Sequence, residues 1–152
     1  MPDRSASLYR RNNKLIICAN AEVTEGYRID HEPFVLLEEP VSAADVGRAV
    51  REMLAQFRAG TQSDGGGGEN SNGGGDEFLS YFATLAGVDT YRAFMQGALY
   101  CGIEERDGRI AFQPMKNDDG GFDELGAITP IACEANHEAL GRTALEALGR
   151  SR

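Results

Sequence analysis

The stretch LYCGIEERDGRIAFQPM, residues 99–115, decides the fold class. Asp107-Gly108 is a two-residue hairpin signal, and it separates two runs of β-forming residues, Leu99–Glu105 and Arg109–Met115. Downstream, Ile128–Cys133 reads as a further apolar strand. A helix then begins near Asn136 and places Leu140, Ala144 and Leu148 at i, i+4 and i+8. Upstream, Phe78–Ala86 and Asp89–Gly97 read as short helices broken at Gly87. The second half is therefore a sheet followed by a helix.

The first half repeats that grammar. Lys14–Val23, with Leu15-Ile16-Ile17-Cys18, and Tyr27–Glu39, with Phe34-Val35-Leu36-Leu37, read as strands. Ser42 is the natural N-cap of the helix that follows, with Asp45 three residues on. Val46, Ala49, Val50, Met53, Leu54 and Phe57 form one apolar stripe, while Arg48, Arg51, Glu52 and Arg58 face water. The helices themselves look alike. Val46-Gly47-Arg48 with Glu52 and Leu54 matches Leu140-Gly141-Arg142 with Glu146 and Leu148. Glycine early in a helix costs about 1 kcal/mol against alanine, so its presence in both suggests close approach of another backbone, with the sheet as the first candidate. These features predict an α+β fold of two β-sheet-plus-helix units, a possible internal pseudo-repeat, joined by a Gly-rich loop.

That loop is residues 60–76 (GTQSDGGGGENSNGGGD), in which eight of 17 positions are Gly. It cannot bury enough apolar surface to offset its ordering entropy, and is expected to be a flexible insert in a single domain spanning residues 1–152. It lacks the Gly-Lys-Ser/Thr ending of a phosphate loop and the preceding strand of a dinucleotide site.

Composition bounds the function. A formal charge of −9 disfavours nucleic acid as a partner, since phosphate neutralisation normally drives such binding, and favours basic partners. Cys18, Cys101 and Cys133 each lie in an apolar run and are expected to be buried, reduced thiols. The N-terminal apolar run, Leu15–Ala19, is too short for a signal-peptide core, and no stretch approaches the roughly 18 apolar residues of a membrane span. The reading is a cytoplasmic protein with no membrane association.

Candidate chemistry is sparse. The two histidines, His31 and His137, and the three cysteines have no metal-ligand spacing, so no metal and no cofactor is expected. Cys133 and His137 are near in sequence, but no orienting residue or oxyanion donor accompanies them, and no catalytic residue is assigned. Carboxylates are the salient feature. Glu104, Glu105 and Asp107 crowd one end of the hairpin, and Asp118, Asp119, Asp123 and Glu124 crowd the loop beyond it. A solvated face is the plain reading of this set, and a docking surface for a basic partner is the functional one. Residues 22–45 hold seven further acidic residues, Asp30 among them, against Arg28 alone.

The second half is also similar to a known family. Val88-Asp89-Thr90-Tyr91-Arg92-Ala93-Phe94 is followed by Gly97-Ala98, a hairpin ending at Phe112-Gln113-Pro114, Gly121-Phe122 and Leu125. The run Ala139–Leu148 with Ser151-Arg152 closes the succession. This ordered set resembles the immunity proteins of bacterial contact-dependent growth inhibition (CDI) systems, best over Val88–Arg152. The resemblance implies a cytoplasmic antidote, not an enzyme, that binds a cognate toxin domain. Many such toxins are nucleases with basic active sites that an acidic protein can cover. No toxin-contacting residue carries over from the family, because contacts vary with the cognate toxin, and the long Gly-rich insert departs from its compact pattern. Two other functions compete: a nucleic-acid-binding module of paired sheet-plus-helix units, and a small metal-dependent enzyme using Asp118 and Asp119. The oligomeric state is not readable from the chain.

Overall fold

The Asp107-Gly108 hairpin forms as its residues dictate. Both have positive φ, 54° and 76°, and they join β5 (Leu99–Arg106) to β6 (Arg109–Asp118). These coordinates come from a computed structural model that describes residues 3–23, 28–61, 83–119, 121–126 and 128–152. In the first half a second tight hairpin joins β1 (Arg4–Arg11) to β2 (Lys14–Val23), with Asn12 and Asn13 at φ 53° and 63°. Asparagine tolerates this left-handed conformation better than most residues. The sequence reading begins its first strand at Lys14 and misses β1, which proves to be central to the sheet.

The remaining elements are β3 (Arg28–Glu38), α1 (Ala43–Ala55), β4 (Arg58–Thr61), α2 (Tyr91–Gly97), β7 (Gly121–Glu124), β8 (Thr129–Ala132) and α3 (His137–Arg150). One sheet runs in the order β3-β2-β1-β5-β6-β7; β4 also pairs with β2, and β8 with β6. The strands of the two units join where β1 lies antiparallel to β5, with Ser7 opposite Gly102. The result is an α+β fold built on a largely antiparallel sheet, β4 being parallel to β2.

Both long helices cover one face. Ser42 caps α1 by accepting from the Asp45 N–H, and Asn136 caps α3 by accepting from the Ala139 N–H at 2.8 Å. Val46, Val50 and Leu54 from α1, and Leu140, Ala144 and Leu148 from α3, join Leu8, Leu15, Ile17, Ile103, Ile110 and Phe112 in one core. Phe57 lies beyond the helix and is half-buried under the Arg28 guanidinium, 5.1 Å from its ring centre. Arg51 is half-buried too, and donates to the Ala135 carbonyl rather than standing in water.

The two glycines explain how closely the helices cross. A Cβ on Gly47 would overlap the carbonyl oxygen of His137, and one on Gly141 would overlap that of Ala43. The approaching backbone is therefore the other helix, not the sheet. The contact is reciprocal, and the same offset of 94 residues separates Ala43 from His137 and Gly47 from Gly141.

The opposite face carries a smaller core. Tyr9, Ile16 and Cys18 pack with Ala83, Ala86, Phe94 and Ala98. Helix α2, capped by Thr90 accepting from the Ala93 N–H at 3.0 Å, supplies Phe94. Of the predicted 60–76 insert, Gly60 and Thr61 belong to β4 and the rest lies outside the described residues. The predicted Phe78–Ala86 helix is described only from Ala83 onward.

Candidate functional site

Strand alternation divides the chemistry of β1 between the two faces. Ala6 and Leu8 enter the helix-side core, while Ser5, Ser7 and Tyr9 point to the face that α2 covers at one end only. At the other end, which no described element covers, lies a cleft of about 310 Å³. Ser5, Ser7 and Asn20 form part of its wall, Asp30 and Glu104 add carboxylates, and Met115, Glu124 and Ile128 close the far side.

The β1–β2–β3 part of the wall is a single hydrogen-bonded network. Ser5 Oγ donates to Asn20 Oδ1 at 2.8 Å, and Asn20 Nδ2 donates to Ser7 Oγ at 3.1 Å and Asp30 Oδ1 at 3.0 Å. Ser7 Oγ donates to Asp30 Oδ1 at 2.6 Å, and Tyr9 OH donates to Asp30 Oδ2 at 2.6 Å. Ser5, Ser7 and Asn20 are only 6%, 1% and 6% exposed, so these polar groups need partners inside the protein. A shift in register between Cys18 and Ala19 sets the pairing of β2 with β3 at Asn20 and Asp30.

Burial raises the pKa of Asp30, while the bonds from Ser7, Tyr9 and Asn20 pull it back toward the charged form. Tyr9 is raised well above its ordinary value by burial and by Asp30, and Tyr100 is pushed up to about 12 by the same two causes. Aromatic rings bound this end of the cleft. Tyr9 stacks on Tyr100 at 4.8 Å, and Phe122 meets Tyr100 edge-on at 5.0 Å. Among the described residues no cation forms an ion pair with Asp30. The nearby Arg28 is held instead by Glu104 at 3.2 Å, which Arg106 also contacts at 3.2 Å.

The seven candidate carboxylates do not form one patch. Only Glu104 and Glu124 line the cleft. Glu105 alternates away from Glu104, pairs with Arg4 at 3.5 Å and accepts from the Cys133 thiol at 3.3 Å. Asp107 sits in the hairpin turn. Asp118 and Asp119 lie at the far end of β6, with Asp119 accepting from Gln96, and Asp123 stands on β7 opposite Lys116. Sequence reasoning places Asp30 in an acidic stretch but gives it no partners. The missing signal is the Ser5-Ala6-Ser7-Leu8 alternation, which marks a strand with one polar and one apolar face.

Cys18 and Cys101 are buried, and burial raises both thiols, Cys101 to about 12. Cys133 departs from the expected burial and strand placement: it sits in the turn after β8 and is only half-buried. It makes no pair with His137, whose backbone carbonyl faces Gly47. Among the described residues no three His, Cys, Asp or Glu side chains are grouped so as to hold a metal ion, and no helix is long and apolar enough to cross a membrane.

No curated protein matches the chain. Its fold is shared by solved structures, among them the following two. A protein of unknown function from Neisseria meningitidis superposes with a TM-score of 0.87 at 18% identity, covering 99% of this chain and 96% of that one. A chain of the CdiA-CT/CdiI toxin and immunity complex from Yersinia pseudotuberculosis superposes with a TM-score of 0.81 at 16% identity, covering 100% and 99%. The model of the CdiI family, described as CDI immunity protein, matches residues 4–151. With the match running from the first residue of β1 to the cap of α3, the chain belongs to the CDI immunity protein family.

Proposed function

We propose that this chain binds a cognate CDI toxin domain in the cytoplasm and neutralises it by covering its active site, without catalysis of its own. The observation that carries this reading is the acid-lined cleft on the uncovered end of the sheet. It combines shape, fixed polar groups and an excess of carboxylate, with Asp30, Glu104 and Glu124 against Arg28. The similarity of the fold to a chain from a toxin and immunity complex supports a partner of the same kind.

The toxin is proposed to be a nuclease acting on RNA. Such an enzyme must hold phosphates and so presents a basic active site, which a protein of net charge −9 attracts and can occlude. Charge supplies speed and selectivity, while apolar groups at the centre of the contact supply tightness. Ile128, 53% exposed on the cleft wall, and Met115 beside it are suited to that part.

The test is binding of the purified chain to the toxin domain encoded beside its gene. A 1:1 complex by calorimetry, with loss of the toxin's RNase activity in the mixture, is the expected result. A toxin domain that neither binds nor loses activity overturns the proposal. The acidic candidates separate in the same assay. Glu104→Gln with Glu124→Gln should weaken binding at least about tenfold, and Asp118→Asn with Asp119→Asn should change it about threefold or less.

A further inference from the structure

The cleft contains a charge that no cation among the described residues pairs with. Asp30 sits on its wall with both carboxylate oxygens engaged by neutral donors, Oδ1 by Ser7 and Asn20 and Oδ2 by Tyr9. An ionised carboxylate has about four acceptor positions, and among the described residues these three bonds leave one open, on Oδ2. Neutral donors orient the group and lessen its desolvation, but none supplies a countercharge. The nearest guanidinium on the same strand, Arg28, is drawn off by Glu104 at 3.2 Å and by the Phe57 ring.

A natural structural role for a buried carboxylate is to neutralise an internal cation. Elsewhere the chain pairs carboxylates with cations even nearer the surface, at Arg10–Glu39 and Lys14–Glu38, but among the described residues it places none at Asp30. Nor does Asp30 cap a helix, since it lies within β3. Its network is also costly in polar groups. Ser5, Ser7 and Asn20 occupy buried positions on central strands, where apolar residues would pack without any partner requirement. Such a network fixes an acceptor in advance, so little ordering entropy remains to be lost when a ligand arrives.

We infer that the Asp30 end of the cleft is a socket for one cationic side chain, an arginine or lysine of the bound protein, with the Asp30 carboxylate as its counter-ion. Tyr100, already stacked on Tyr9, also lines the cleft and adds to the wall of the socket. Glu104 and Glu124 lie on the same cleft, so the entering cation meets negative potential along its path. This rests on the toxin-binding reading and names the chemistry the toxin must present there.

The test uses the intact chain and small probes in place of the toxin. N-acetyl-arginine amide, N-acetyl-lysine amide and the uncharged N-acetyl-citrulline amide are titrated against the wild type and Asp30→Asn, followed by amide chemical shifts. The arginine or lysine probe should give saturable shifts at Ser7, Asn20 and Gly102, at least about tenfold weaker for the citrulline probe. Asp30→Asn should remove the difference between charged and neutral probes while keeping the shift pattern of a folded chain. The ratio of the two cationic probes identifies the side chain. Equal binding of citrulline and arginine probes, no shift from either cation, or undiminished arginine binding by Asp30→Asn would overturn the socket. A toxin domain bound by a chain that ignores the probes sinks this inference alone. A toxin domain that does not bind the wild type sinks the proposed function.

Discussion

At Asp30 a single side chain joins stability to recognition. Its pKa is raised in the folded protein, mainly by burial, so the native state holds its proton more tightly than the unfolded chain. The sign follows directly. The stability linked to this proton is fully present below the unfolded-state value of 3.8 and is lost as pH rises through the folded-state value. At neutral pH, Asp30 is therefore a liability to the fold. Asp30→Asn removes the charge and retains a polar group that the Ser7 and Tyr9 hydroxyls can rotate to meet. The variant should melt above the wild type at pH 7 and at the same temperature near pH 3. For a chain of this size each 1 kcal/mol recovered corresponds to about 2–4 °C. Thermal melts across that pH range decide it, and a variant less stable than the wild type at pH 7 contradicts the account. Asp30→Ala leaves a cavity and strips Tyr9 and Ser7 of an acceptor, so it should lose the advantage.

Between elements, the sharpest constraint is the α1–α3 crossing. Gly47→Ala and Gly141→Ala each place a methyl group inside a backbone carbonyl, and backbone cannot step aside as a side chain would. Forcing the helices apart should cost about 1–3 kcal/mol or more. The two changes act on one interface, so the double variant should cost less than the sum. Gly149→Ala is the internal control: its Cβ meets nothing, and the gain in helix propensity should leave stability unchanged or up to about 1 kcal/mol higher. Chemical denaturation of the four variants measures all of this, and an unchanged midpoint for Gly47→Ala would refute the crossing. The glycines were legible in the sequence as sites of close approach, because a helix tolerates early glycine only for a reason. Which backbone approaches was not, since that depends on how two helices whose contact residues lie 94 apart in sequence meet. Caps, hairpin turn and apolar stripes were legible because their causes lie within a few residues of one another. Strand β1 escaped because two of its five buried residues are serines, whose partners Asn20 and Asp30 lie 15 and 23 residues away. The cleft was hidden for the same reason. Glu104 and Glu105 adjoin in sequence yet alternate between faces, so a run of acids gives no patch.

Over the whole molecule, the two faces of the sheet have different tasks. The helix pair seals one face with the larger core, and α2 seals only part of the other, leaving the cleft where polar residues replace apolar ones. Net charge was legible from composition and applies to the chain as a whole, whereas the cleft is local. These should separate in kinetics. Long-range attraction between a −9 protein and a toxin with the proposed basic active site is expected to raise the association rate through the summed field, and added salt screens that field over about 8–10 Å. Association with the toxin domain should therefore slow at least about tenfold between low and roughly 0.5 M salt, with dissociation changing far less. Charges on the helix side test the distinction. Glu52→Gln with Glu146→Gln removes two exposed carboxylates from the face opposite the cleft and should slow association modestly at low salt only. Glu104→Gln with Glu124→Gln removes the same charge from the cleft wall, and should slow association similarly but also speed dissociation several-fold at all salt concentrations. Surface plasmon resonance at three salt concentrations reads both rates. Equal dissociation rates for the two double variants would mean that these carboxylates do not touch the toxin, whatever the field does to its approach.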